Sequence, residues 1–72
     1  MPEEIKQRVE AAISEALVHV IVDGNRASIH VVAAVFDGMS RVQQQQLVYA
    51  CIADLIADGV LHAVTIKADA AE

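Results

Sequence analysis

The 72-residue chain holds few side chains able to do chemistry: three histidines, His19, His30 and His62, and one cysteine, Cys51. Nucleophilic catalysis needs a thiol or hydroxyl beside a base, and metal catalysis needs several ligands around an open position. Cys51 belongs to no Cys-x-x-Cys, and its immediate neighbours are neither acid nor histidine. It therefore reads as a small hydrophobe on an apolar helix stripe, with burial raising its pKa. No carboxylate pair, Ser-His-Asp set or metal triad can be assembled from these candidates, so the chain is read as a non-enzyme. His19 and His30 fall on one face of two neighbouring strands, and with a four-residue connection they stand opposite each other. Two imidazoles can clamp a divalent ion, though weakly without a carboxylate or thiolate, and a non-catalytic metal-binding module is one reading. His62, on an otherwise apolar strand, is on spacing alone more readily a half-buried histidine bonded to a backbone carbonyl than a ligand.

Charge narrows the classes of partner. Ten acidic against five basic residues give a net charge of −5. Such a chain repels phosphate backbones, and Lys6, Arg8, Arg26, Arg41 and Lys67 are scattered along it. Arg26, in the hairpin loop, and Arg41, at a helix start, are the pair that could still converge on a partner. The spacing of Gly24, Gly38 and Gly59 contains no G-x-x-G phosphate-gripping loop. The apolar stretches are too short to span a membrane, and Met-Pro-Glu-Glu is the reverse of a basic signal-peptide start, so a cytoplasmic protein is expected. At this length one domain, residues 1–72, is expected. Its core must be Val, Ile, Leu and Ala, because Phe36 and Tyr49 are the only large aromatics.

The elements that must position these residues follow from periodicity. Residues 2–16 read as a helix: Pro2 suits the first position, Glu3 and Glu4 suit the positive end of the dipole, and Glu4 can pair with Arg8. Ile5, Val9, Ala12, Ile13 and Ala16 share one stripe. LVHVIV, residues 17–22, is a strand that runs into the turn signal Asp23-Gly24-Asn25, and ASIHVVAAV, residues 27–35, is its hairpin partner. Val18, Val20 and Val22 then share the covered face with Ala27, Ile29, Val31, Ala33 and Val35. Ser40 and Gln43 form an S-x-x-Q capping box, so QQQQ, residues 43–46, opens a helix running over 41–58 and is no low-complexity tract. Gly59 takes the left-handed cap position, with Val60 as the accompanying apolar contact. LHAVTIK, residues 61–67, is a third strand, and ADAAE, residues 68–72, a frayed tail. The order α-β-β-α-β requires a crossover that sets the third strand parallel to the second. The fold expected is an α+β two-layer domain: a three-stranded mixed sheet with its helices on one face.

With these elements placed, FDGMSRV, the following QLVY and LHAVTIKA resemble the BolA family, specifically its YrbA-like branch. The resemblance in spacing runs from the first helix to the third strand. It implies a class II KH-like fold and a small partner of monothiol glutaredoxins that shares a [2Fe-2S] cluster, with glutathione, and acts in iron and acid-stress physiology. No cofactor is implied for the isolated chain. Some family members are transcriptional regulators, which makes a KH-like nucleic-acid-binding regulator the alternative. The resemblance puts His62 at the family's characteristic histidine, the cluster ligand. The second ligand position, a His or Cys in the hairpin loop, falls on Arg26, and arginine cannot ligate iron. Gln44 and Gln45 stand where BolA proper has Arg-His, so the helix keeps its shape and loses charge. A homodimer through the open sheet face is left open.

Net negative charge and the missing G-x-x-G loop predict weak binding to duplex or single-stranded DNA at physiological salt. Fluorescence anisotropy across a salt series checks this, and tight binding with a steep salt slope overturns it.

Overall fold

The computed structural model describes residues 2–71. Helix α1 spans Pro2–Ala12, β1 Leu17–Asp23 and β2 Arg26–Ala33. A 3-10 turn over Ala34–Phe36 leads to α2, Arg41–Ala50, then α3, Ala53–Ala57, and β3, Ala63–Ala70. The sheet order is β1-β2-β3, with β1 antiparallel and β3 parallel to β2. This is the expected α+β mixed sheet. Its covered face carries Val18, Ala27, Ile29, Val31 and Ala33, which pack with Ile5 and Val9 from α1, Ile13 just after it, and Val48, Ile52 and Leu55 from the α2–α3 segment. The opposite face is open, and Leu17 and Ile21 stand 71% and 69% exposed on it.

The hairpin closes in the expected register, with Val22 opposite Ala27 and His19 opposite His30. Pairing reaches Asp23 and Arg26, which leaves a two-residue turn of Gly24 and Asn25. Gly24 has φ of +62°, a left-handed value at the first turn position, where glycine carries no steric cost.

Several expectations change. The first helix ends at Ala12 rather than residue 16. Ile13 still donates to the Val9 carbonyl and is buried, but Glu15 at φ 57° reverses the chain into β1. The second strand ends at Ala33, because Ala34–Phe36 coil into a 3-10 turn that swings Phe36 into the core at 1% exposure. Val35, expected on the covered face, is therefore 48% exposed.

The helix expected over 41–58 breaks at Cys51–Ile52, where Ile52 adopts φ −126° and ψ 10°. No Gly or Pro marks this break. It lets Val48, Ile52 and Leu55 all be buried, and in a 72-residue domain such tertiary burial outweighs the modest propensity for one continuous helix. The break seats Cys51 at the α2 C-cap, half-buried, with its thiol donating to the Leu47 carbonyl at 3.4 Å. Burial pushes the Cys51 thiol up from its ordinary pKa, outweighing the lowering by its backbone hydrogen bond.

The third strand starts at Ala63, after His62, and continues to Ala70, so residues 68–70 of the expected frayed tail are paired with Val31–Ala33. Glu72 of that tail, and Met1, lie outside the described residues. Three alanine-rich positions become strand because β2 offers a partner there, which overrides weak propensity.

The capping box forms as expected: Gln43 N–H donates to Ser40 Oγ, and Ser40 N–H to Gln43 Oε1. Such a cap contributes about 0.5–2 kcal/mol. At the other end Gly59, φ 78°, closes a Schellman motif, with Gly59 N–H bonded to the Ile56 carbonyl and Val60 N–H to Leu55. The apolar residue that packs there is Leu61, 1% exposed, while Val60 is 41% exposed.

Helix α1 is tied to α3 by an ion pair across 46 residues of sequence, Arg8 Nη1 to Asp54 Oδ1 at 2.6 Å, with Glu4 at 3.9 Å on the other guanidinium nitrogen. The hydrogen bond from Arg8 holds the Asp54 carboxyl below its ordinary pKa. A lowered folded-state pKa adds stability that is complete above the unfolded value and is lost as pH falls through the folded one. Asp54→Asn is therefore expected to lower Tm at pH 7. The gap to the parent protein narrows as pH drops below about 3.9 and shrinks in high salt, because the pair is solvent-exposed. Thermal melts over a pH series check this, and a gap independent of pH refutes it. Cys51 is expected to alkylate more slowly with iodoacetamide at pH 8 in the native state than in denaturant; equal rates would show an accessible, unshifted thiol.

Candidate functional site

The open face of the sheet places two of the three histidines in one row. His19 and His30 are register partners on β1 and β2, and Lys67 on β3 continues the row. His30 is already engaged: its Nε2 lies 2.9 Å from Asp69 Oδ2 on β3. This carboxylate was not anticipated, since residue 69 was placed in a frayed tail, and it ties β2 to the far end of β3. Among the described residues no three His, Cys, Asp or Glu side chains are grouped to hold a metal ion.

His62 stands apart, exposed, at the end of the sheet where the hairpin turns. Three features hold it there. Leu61 before it is buried in the core, Ala63 after it opens β3, and its own N–H donates to the Asn25 carbonyl at 2.8 Å. The same carbonyl receives the Ala63 N–H at 3.4 Å. The backbone of His62 is thus pinned to the hairpin turn while its imidazole faces solvent, the opposite of a half-buried strand histidine.

Arg26 is the first residue of β2 and the register partner of Ala63, so the structure brings it beside His62. Arg41 begins α2 at the other end of the sheet, lining a groove with Lys67, Ala68, Asp69 and Ala70. Arg26 pairs with Ala63, whereas Lys67 beside Arg41 lies four residues further along β3, roughly 13 Å at 3.3 Å per residue. The pair does not converge; Arg26 goes with His62 and Arg41 with the α2–β3 groove.

That groove, continuous along α2, was not legible as a site. Its apolar half, about 590 Å³, is lined by Val42, Tyr49, Ala50 and Ala53 from the helices and Val64 and Ile66 from β3. Val42 and Tyr49 are apolar residues within the helix expected over 41–58, which was the available signal. They are 64% and 45% exposed because they look along the sheet edge and away from the core. Gln45 crosses the groove, donating to the Ile66 carbonyl at 3.4 Å, and Gln44 donates to the carbonyls of Phe36 and Met39.

No helix among the described residues is long and apolar enough to cross a membrane.

Comparison with known proteins agrees with this geometry. The family described as BolA-like protein matches residues 23–72, from the hairpin turn onward. The chain is 46% identical over 65 residues to the acid stress protein IbaG of Escherichia coli (strain K12), covering 90% of this chain and 77% of that protein. A BolA protein homologue from Coxiella burnetii superposes with a TM-score of 0.80 at 25% identity, over 97% of this chain and 90% of that one. A bol-like protein from Babesia bovis gives 0.84 at 20% identity, over 97% and 84%. The helix–hairpin–helix–strand order, the histidine ahead of β3 and these matches together place the chain in the BolA-like family.

Proposed function

We propose that the protein is an accessory partner of a monothiol glutaredoxin, that it belongs to the YrbA-like branch of its family, and that His62 supplies a ligand to a [2Fe-2S] cluster held jointly with that partner and glutathione. The observation that supports this reading is the presentation of His62: an exposed imidazole on a backbone fixed by a buried neighbour and a turn carbonyl. A ligand on a fixed backbone loses little freedom when a partner closes on it. Imidazole is an accepted substitute for thiolate on iron and raises the cluster potential.

The donor set fits a shared cargo. His62 is one ligand with no second His or Cys at the hairpin, so the other ligands come from the partner side. Arg26 beside it cannot bind iron, but its guanidinium suits the negative charge of a thiolate-ligated cluster. Arg41, at the far end of β3, can touch only the body of a partner. The relative's designation as an acid stress protein supports a role in iron or acid-stress homeostasis. A transcriptional regulator would need a basic surface, and Arg26 and Arg41 stand too far apart to make one. A metal-binding module at His19 and His30 would need a third ligand, and the Asp69 carboxylate is turned to His30.

The test is anaerobic mixing with a cluster-loaded monothiol glutaredoxin, followed by visible absorption and circular dichroism. His62→Ala is expected to weaken the cluster-bearing complex at least about tenfold, the scale of one lost metal-shell interaction, while leaving far-UV circular dichroism unchanged. Arg26→Ala is expected to change affinity far less. Arg26→His places a second imidazole beside the first and is expected to alter the cluster spectrum. An unchanged complex with His62→Ala refutes the ligand assignment.

A further inference from the structure

The free edge of β3 offers backbone groups in a defined pattern. Ala63 donates to Asn25 and Ala71 donates to Ala33, so the odd-numbered residues turn their backbone toward β2. By the period-two alternation of a strand, the N–H and C=O groups of Val64, Ile66, Ala68 and Ala70 then point outward, away from the sheet. The Gln45 amide on the Ile66 carbonyl marks that outward direction. The bond is long, at 3.4 Å, and is the one side-chain bond on this row among the described residues.

Beside this edge the groove changes character along its length. At the Val64 end it is apolar, with Val42, Tyr49 and Ala53 on the wall. At the Ala70 end it is polar and lined by Arg41 and Lys67. Charge makes this end unusual in a chain of net charge −5. Arg8 is held by Asp54 and Glu4, and Arg26 faces Asp23 across the hairpin, whereas Arg41 and Lys67 share one groove. The acid there, Asp69, is turned to His30.

We propose that this edge and groove bind an extended peptide segment of a partner by strand addition to β3. The segment carries an apolar side chain that fills the Val42–Tyr49–Val64 cavity and carboxylates that meet Arg41 and Lys67. Main-chain bonds to the four outward residues supply affinity, and the graded groove supplies direction and selectivity. Binding displaces the Gln45 amide from Ile66, which a peptide N–H replaces. The surface is separate from His62, so this proposal does not rest on the cluster reading.

The test uses the full 15N-labelled chain and the probe acetyl-Asp-Glu-Ser-Val-Thr-Val-Leu-amide. The amides of Val64, Ile66, Ala68 and Ala70 are expected to gain protection from hydrogen exchange, with shifts at Val42 and Tyr49. Arg41→Glu is expected to weaken binding about tenfold, the size of reversing one exposed charge pair. Lys6→Glu, a basic residue on α1, and His62→Ala are expected to leave it unchanged. Each of four results overturns the proposal: protection on β1 instead, equal binding of the probe with Asn and Gln replacing its acids, decanoate occupying the groove without protecting β3, or protection that rises with protein concentration alone and marks a second copy.

Discussion

Strand β2 is hydrogen-bonded on both edges, and that constraint orders the rest of the molecule. Its inward side chains, Ala27, Ile29, Val31 and Ala33, are all buried, so both the hairpin and the crossover must return to the same face. The antiparallel neighbour follows locally through a two-residue turn. The parallel neighbour cannot, because its chain has to travel the length of the sheet before pairing. Everything from Ala34 to His62 is that return path, and it supplies the covering layer: Phe36, Val48, Ile52, Leu55 and Leu61 all enter the core from it. The two ends of β2 thereby become the two places where irregular backbone meets β3. At one end the Asn25 carbonyl receives His62, and at the other the Ala33 carbonyl receives Ala71.

Much of this was legible because period-two and 3.6-residue patterns report directly on burial. The hairpin register, the parallel crossover, the capping box and the glycine cap after Asp58 each rest on local chemistry, and each is present. What could not be read was decided by packing. Nothing local breaks the helix at Cys51–Ile52; the break exists because Ile52 and Leu55 both reach the core from it. Nothing local makes Ala68–Ala70 a strand, whose pairing depends on Val31–Ala33 some 37 residues earlier. The candidate site shows the same division. His62 was located from the resemblance, but its exposure depends on Leu61 being the buried residue of the pair Val60–Leu61. The distance between Arg26 and Arg41 depends on strand β3 being longer than its apolar residues suggest.

Electrostatic and apolar contributions divide by location. Burying a side chain such as Phe36 is worth about 3 kcal/mol. The pairs Arg8–Asp54 and His30–Asp69 are solvent-exposed, where screening leaves little net energy. They act as alignment, fastening α1 to α3 and the open face of β2 to β3, while apolar burial supplies the stability. This separation matters for the proposed partner binding. Surface charges can be committed to recognition without weakening the core, provided that no buried ion depends on them, and no buried polar or charged side chain is found among the described residues.

The glutamine run shows how the same economy shapes the β3 edge. Gln43 closes the α2 cap, Gln44 ties the loop carbonyls of Phe36 and Met39, and Gln45 reaches the β3 carbonyl of Ile66. A lysine or arginine could donate to those carbonyls as well, but would add charge beside Arg41 and Lys67 and repel both. An amide donates without charge, so the groove keeps two cations at one end and an apolar wall at the other. Its hydrogen bonds are also neutral ones, worth about 0.5–1.5 kcal/mol each, weak enough for an incoming backbone N–H to replace. Four consecutive glutamines are therefore consistent with an ordered helix that holds its neighbours loosely and leaves recognition to the residues on either side.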